Sequence, residues 1–535
     1  MKQRILILGA GIMQKPAINF AKERGLEAIV VDADPNAACV GLADRFEKID
    51  LKDKEALETF ARSLKMDGGL SGIITAGTDF SASVAWVAER LGLPGIPYEA
   101  ALDASDKERM RRRFKEAGVP SPEFVIVHQS QFTAGSLPAL PFSFPVVVKP
   151  VDNMGARGCR RADSAEDLRA ALQDALNFSR SGRAIVEEYM EGPEFSVDAI
   201  VYQGNISICG LADRHIFFPP YFIEMGHTMP TALPEQEAAV LVETFKAGVR
   251  ALGITNGAAK GDVKLTPQGP MIGEIAARLS GGYMSGWTYP YASGVEPTKA
   301  AIAVAIGEAP GPLEPIRTWT SAERAFISIP GQVAELYGID EAKTIPGIKD
   351  VFSRISKGSR VQFPENNVTK CGNVISALPD RDAAIQAAED AARRIWIRLA
   401  SPHAETEAFL FTESPASVLS FPPPAYPLSP DLAQRLFAMP ANNADLDAVA
   451  KGAISIFAFP ELFQASLKDY HGRSPEESLQ VLRTITGLEL PVVTQPQTGM
   501  TILGRRFWQA FVRGSYQGAL YYIDELISQA AERNR

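Results

Sequence analysis

The segment Gly261–Gly282, GDVKLTPQGPMIGEIAARLSGG, narrows the fold of this chain more than any other. Val263 and Leu265 alternate with Asp262 and Lys264; Ile275, Ala277 and Leu279 alternate with Glu274, Ala276 and Arg278. A period of two puts the polar residues of each strand on one face. The Pro-Gln-Gly loop at 267–269, with its glycine in the left-handed position, predicts a β-hairpin that sets Asp262 roughly opposite Glu274. Pro270 has no N–H and weakens the closure, so the pattern fixes the register to about one residue. Two carboxylates held across a rigid hairpin are suited to Mg²⁺ ions that carry substrate phosphates. A solvated hairpin with an ordinary salt bridge has the same local pattern, so the rest of the chain decides.

At 535 residues the chain exceeds a single core and implies several domains. Its 46% hydrophobic and 22% charged content is that of a globular protein. The net charge of −9 is spread along the chain without a basic tail, which argues against nucleic acid or an anionic membrane as partner. The one basic cluster, Arg111-Arg112-Arg113, has acidic neighbours and reads as a solvated helix face. The N-terminus runs straight into a strand, with neither a cleavage site nor a long apolar segment. Cys39, Cys159, Cys209 and Cys371 are far apart and read as free thiols, which together imply a cytoplasmic protein. The five histidines lack metal-ligand spacing, so zinc is not expected.

Along residues 1–104 short apolar strands (ILILGAG, AIVVDAD, SGIITAG) alternate with helices, which predicts a doubly wound parallel α/β domain. Gly9-Ala10-Gly11 followed by Gln14 lacks the third glycine of a dinucleotide fingerprint and reads better as a tight turn lining a substrate pocket. SDKERMRRRFKEAGVP (105–120) is a capped helix. A small α+β unit follows, with the strand FPVVVKP, the loop DNMGARG at 152–158, a helix near 165–179 and the strand AIVEEYM. Further strands and a helix at about 235–252 lead to the hairpin. A third α+β segment spans about 320–400, the proline-rich stretch 420–430 marks a boundary, and the last hundred residues read as helical.

Lys149 ends an apolar strand, where it is either a solvated strand end or a point charge for the phosphates of a nucleotide. Directly after it, Gly155 and Gly158 allow the backbone N–H groups to turn inward as a polyphosphate cradle, with Arg157 adding charge. VEEYMEGPE (186–194) offers backbone groups at Glu187–Met190 for an adenine, and Glu194 for ribose hydroxyls; taken alone it is also an ordinary acidic surface.

In order and spacing, Lys107, Lys149 with its glycine loop, Glu187…Glu194, and Asp262, Glu274 and Arg278 together resemble the ATP-grasp superfamily over about residues 1–400. The loop GARG is similar to those of biotin carboxylase and carbamoyl phosphate synthetase. The block EMGHTMP…GEIAARLSGG is closer to the L-amino-acid ligases of the bacilysin-synthetase type. The resemblance implies an ATP-grasp fold in α/β and α+β parts. These are a pre-ATP-grasp domain at 1–104, an ATP-grasp domain at 105–310 with a mobile lid at about 120–187, an α+β part of the body at 311–412, and a mostly helical extension at 413–535. It also implies ATP with Mg²⁺ (or Mn²⁺). Lys107 and Lys149 would contact phosphates; Glu187, Tyr189 and Met190 would line adenine and Glu194 ribose; Asp262 and Glu274 would hold metal. Arg278 would stabilise the transferring phosphoryl group.

Two departures accompany it. Many relatives carry Asn two residues after the second metal carboxylate, where this chain has Ala276, and the first carboxylate is usually Glu, where it has Asp262. One metal would then have fewer protein ligands. The resemblance implies an ADP-forming carboxylate–amine ligase acting through an acyl phosphate on small carboxylate and amine substrates. His227 and Glu224 would border the acceptor site, His227 as an orienting or proton-accepting group or as a packed structural histidine. Arg214 and His215 are weaker candidates, and Tyr283 and Trp287 would be apolar walls. Residues 413–535 would cover the body or form a homodimer contact. Alternatives are a carboxylase or formate-using transferase of purine-biosynthesis type, and a nucleotide-binding scaffold without turnover.

Overall fold

The computed structural model describes residues 3–533 except 134–136, 442–444, 465 and 496–498. The chain divides into two compact units, Met1–Glu323 with Ser376–Ile385, and Arg324–Ile375 with Gln386–Arg535.

The first unit opens with a parallel sheet of β1 (Arg4–Leu8), β2 (Glu27–Asp32), β3 (Arg45–Lys48) and β4 (Gly72–Ile74), in the order β3-β2-β1-β4. The central strands are near-continuous apolar runs because both faces are covered: Ile5 and Ile7 pack on α1 (Lys15–Glu23), while Leu6 and Leu8 pack with α2 (Lys54–Met66) and α3 (Ser81–Leu91). After α4 (Tyr98–Ser105), α5 (Lys107–Ala117) starts where Asp106 accepts from the Arg109 N–H and stops at Gly118, φ 66°.

A small antiparallel sheet follows, made of β5 (Phe124–His128), β6 (Val146–Pro150), β7 (Arg160–Ala162) and β8 (Arg183–Glu188), in the order β5-β8-β6-β7. Between these strands lie a short α6 (Gln129–Thr133) and α7 (Ala165–Phe178), the latter covering the sheet with Leu168, Leu172 and Leu176 against Val146, Val148 and Val186.

The larger antiparallel sheet runs β13-β12-β9-β10-β11, from β9 (Glu194–Tyr202), β10 (Asn205–Phe217), β11 (Ile223–Met229), β12 (Gly257–Thr266) and β13 (Gly269–Ala276). Alternation sorts its two faces. Val197, Val263 and Ile275 pack with Phe114 of α5 and Phe245 of α8 (Glu235–Ala251). Lys260, Asp262, Glu274 and Ala276 share the other face. Gly261 belongs to the packed side, where an added Cβ would lie 2.5 Å from the Phe245 ring.

In the second unit, Gly331–Tyr337 pairs antiparallel with Trp396–Leu399 and Arg360–Val361. The segment expected to be helical also carries a three-stranded parallel sheet, in which Ile454–Phe457 lies between Val492–Val493 and Thr501–Leu503. The final helix, Arg505–Arg533, is interrupted at Ser515 (φ 52°, ψ −144°) and buries Phe507, Trp508, Phe511 and Tyr521. The four cysteines are free and buried.

Candidate active site

Lys107 and Lys149 come from different elements and meet at one place. Lys107 opens α5; its N–H donates to Val151 O (2.9 Å) and its Nζ to Asn153 O (2.8 Å), tying it to the base of the glycine loop. Its Nζ also lies 3.4 Å from Glu274 Oε2. Lys149, at the end of β6, donates to Glu187 Oε2 at 2.7 Å. On the other side of Glu187, Arg111 Nε donates to Oε1 at 2.8 Å, and Arg111 Nη2 reaches Gly273 O on the hairpin at 2.5 Å.

This corrects the reading of Arg111-Arg112-Arg113 as a solvated face. Arg111 is 0% exposed and Glu187 1%. Burial alone would raise the Glu187 pKa, but Arg111 and Lys149 hold it down to about 2. Burial likewise works against the Lys149 charge, and Glu187 more than restores it, so its pKa is raised. The Glu187 carboxylate therefore points into a buried ion triad, leaving its backbone for any nucleotide contact. Lys107, Met110, Arg111 and Phe114 are the buried residues of α5, an i, i+3, i+4, i+7 stripe that was present in the sequence.

The loop 152–158 turns through left-handed backbone at Gly155 (φ 68°), Ala156 (59°) and Gly158 (67°). A Cβ at Gly158 would lie 3.0 Å from the Phe178 side chain, so both the left-handed backbone and the close approach favour glycine there. Arg157 donates from Nε to Met154 O (2.8 Å) and from Nη2 to Asp79 Oδ2 (2.7 Å), an oxygen shared with Arg180 (3.2 Å).

On the hairpin Asp262 and Glu274 are direct register partners. The ladder shifts between Asp262 and Val263, where Gly273 is the extra residue on the second strand, and Pro270 keeps its register opposite Leu265. Asp262 is held on both oxygens: Lys260 Nζ bonds Oδ1, and Arg214 Nη1 lies 3.1 Å from Oδ2. Burial opposes its charge, but Arg214 and Lys260 lower its pKa. Glu274 is also lowered against burial, chiefly by Lys107, and its side chain is 27% exposed. Arg278 donates from Nη1 to Leu279 O (2.9 Å), while its Nε is a buried donor without an acceptor among the described residues.

Glu194 pairs with Arg214 and lies 3.9 Å from Lys264. Lys264 also donates to Met190 O at 3.0 Å. The Tyr189 ring has Arg161 at 4.7 Å and Lys264 at 5.0 Å from its centroid, so both cations cover it. Tyr283 and Trp287 meet edge to face at 5.5 Å and are buried, as packed rings rather than open walls. After the Gly9–Gly11 turn, Gln14 clamps the Ala76 backbone through both amide atoms (2.5 and 3.0 Å), and Gly77 N–H donates to Leu279 O (3.2 Å).

Arg214 extends the ion network to Glu224 Oε2 (2.9 Å), which lies 3.5 Å from His227 Nε2. His227 Nδ1 meets Glu323 Oε2 at 2.9 Å. His215 is engaged separately, its Nε2 lying 3.0 Å from Thr228 Oγ1. Burial would lower the His227 pKa, but Glu224 and Glu323 push it up to about 9. The folded value lies above the ordinary 6.5, so His227 contributes stability that is full below about pH 6.5 and lost as pH rises through 9. Chemical denaturation of the protein and of His227→Gln at pH 6, 8 and 10 is expected to show their stability gap narrowing with rising pH.

Sequence reasoning missed Arg111 and Lys260 as parts of the site, together with Asp79, Lys264 and Glu323. Lys260 stands two residues before Asp262 on one strand, which was signal enough for a shared face.

Residues 142–286 match the ATP-grasp domain, and residues 325–400 match the L-amino acid ligase C-terminal domain 2. The chain is 25% identical over 392 residues to the uncharacterized protein y4rH of Sinorhizobium fredii, covering 72% of this chain and 80% of that one. It is 29% identical over 338 residues to carnosine synthase 1 of Gallus gallus, covering 57% of this chain and only 35% of that protein. The crystal structure of L-amino acid ligase from Bacillus licheniformis superposes with a TM-score of 0.65 at 21% identity, over 75% of this chain and 99% of that one. The described residues contain no helix long and apolar enough to cross a membrane. The fold is thus that of ATP-grasp proteins, and the chain, which joins an ATP-grasp domain to an L-amino acid ligase C-terminal domain, resembles the ATP-dependent ligases.

Proposed function

We propose that this chain is an ADP-forming carboxylate–amine ligase that activates an amino acid or other small carboxylate as its acyl phosphate and passes it to an amine. The observation that carries this is the meeting of Lys107, Lys149 and the glycine loop with the Asp262–Glu274 pair. The chemical difficulty of such a reaction is to bring two anions, a carboxylate and a γ-phosphate, into line. Fixed positive charge answers it, because a preorganised cation needs no reorganisation as the reaction proceeds.

In this reading Lys107, Lys149 and Arg157 hold phosphates, the backbone of Glu187–Met190 with Tyr189 receives adenine, and Glu194 the ribose. The free buried N–H of Arg278 faces the developing charge, and the protonated His227 between Glu224 and Glu323 orients the acceptor substrate. Mg²⁺ fits the hairpin: its two carboxylates are held in the charged form, and this ion commonly uses one or two carboxylates together with phosphates and water. When bound, Mg²⁺ would neutralise phosphate charge. We place the protein in the cytoplasm, where ATP is supplied.

Phosphate release screened over the amino acids, singly and in pairs, tests this, with mass spectrometry of the product. Release that needs a carboxylate and an amine together, with a condensed product, is expected. Release that needs bicarbonate or formate instead would move the protein to the carboxylase and formyltransferase reading.

A further inference from the structure

Lys260 lies on the reacting face of the hairpin, directly opposite Ala276 in the ladder and opposite Asp198 of the neighbouring strand β9. Its ammonium bonds Asp262 Oδ1. Ser196 Oγ is a second neighbour of that same oxygen, at 3.4 Å. Arg214 takes the other oxygen at 3.1 Å. Asp262 thus meets a positive charge on each side, and the position facing Lys260 offers a methyl group in place of a side-chain oxygen. The charge of Lys260 acts on three carboxylates at once, Asp198, Asp262 and Glu274. Lys260 is itself 12% exposed, so its ammonium is only partly screened by water. Glu274 is placed differently: it is the more exposed carboxylate of the pair, and its ion pair to Lys107 is a longer 3.4 Å.

A divalent ion set against Asp262 would have to displace the ammonium or lie beside both it and the Arg214 guanidinium. Like charges at such range, in a site largely closed to solvent, repel strongly. An ion at Glu274 would displace neither the Lys260 ammonium nor the Arg214 guanidinium, both of which are engaged with Asp262, and would meet only the longer Lys107 pair directly.

Resting on the ligase reading above, we propose that the Lys260 ammonium is a resident cation on Asp262, so that a single divalent ion, held from Glu274, accompanies the nucleotide. Lys260 is then a positioning residue. It fixes Asp262 and supplies one positive charge that a second metal ion would otherwise bring. Ala276 belongs to the same arrangement, since a larger polar side chain there would compete for the space of the lysine.

Mn²⁺ binding to the full-length protein with ADP, counted by electron paramagnetic resonance, tests this without reference to turnover. The wild-type protein is expected to bind one Mn²⁺ per chain. Lys260→Met combined with Ala276→Asn is expected to bind two, with the line broadening of neighbouring ions, and Lys260→Arg to stay at one. Should the double variant fail to fold by circular dichroism, Lys260→Gln carries the same expectation of two. Two ions in the wild type would overturn the inference while leaving the ligase reading intact. One ion in both the wild type and the lysine-free variants would overturn the role of Lys260. No ADP-dependent Mn²⁺ in any of them would overturn the inference together with the nucleotide reading itself.

Discussion

Glu274→Ala is expected to lower ADP release by about 10³-fold or more, equivalent to about 4 kcal/mol of lost transition-state stabilisation. Glu274 stands on β13 opposite Asp262, is the better exposed of the two, and has Lys107 at 3.4 Å as its ion pair. Its removal leaves Lys107 bonded to Asn153 O and breaks no packing. Stability is therefore expected to change by less than about 1 kcal/mol, and a thermal melt beside the rate measurement separates loss of chemistry from loss of fold. Turnover near the wild-type rate in a folded Glu274→Ala protein would remove the hairpin from the mechanism.

The opposite pattern is expected for Arg111→Leu. Arg111 is fully buried and holds one oxygen of a fully buried Glu187, whose other oxygen is on Lys149. Removing one partner from a buried pair typically costs about 3–5 kcal/mol, because the remaining charge is left without its counter-ion. A shift of the guanidinium midpoint reads this directly. A second readout follows from the titration of Glu187. Its pKa is depressed from the ordinary 4.5 to about 2, so its stabilising contribution is present above pH 4.5 and lost as pH falls towards 2. Arg111→Leu is expected to flatten that acid limb. A midpoint within about 1 kcal/mol of the wild type would mean that Lys149 alone suffices to hold Glu187. Lys149→Ala is the informative companion, since it leaves Arg111 on Glu187 and is expected to lose nucleotide affinity more than stability.

The pairing of Asp262 with Glu274 was legible because a two-residue period and a glycine-containing turn fix which residues share a face, and the bulge after Asp262 is the part that no pattern of residue types encodes. The parallel first sheet was legible in its strands β1, β2 and β4, which are largely apolar runs, whereas the edge strand β3, Arg-Phe-Glu-Lys, carries no such signal. Arg111 was hidden by chemistry. Three arginines in a row look solvated, and a buried guanidinium becomes plausible only once Glu187, 76 residues away, is known to face it. The helical stripe Lys107–Met110–Arg111–Phe114 carried the hint. The small parallel sheet of the second unit was missed because two of its strands, Val492–Val493 and Thr501–Leu503, are too short to establish a period. Arg214 was named only weakly, because its importance lies in touching Glu194, Asp262 and Glu224 together, and those residues are spread over three strands.

The grip of Asp79 on Arg157 and Arg180 bears on how a triphosphate enters. One carboxylate offsets half the charge of those two guanidinium groups, so an incoming anion trades places with a carboxylate as well as meeting the remaining positive charge. Capture by exchange releases fewer counter-ions than capture by new pairing. Affinity for nucleotide should therefore decline only gently as ionic strength rises, and replacing Asp79 by asparagine should steepen that decline.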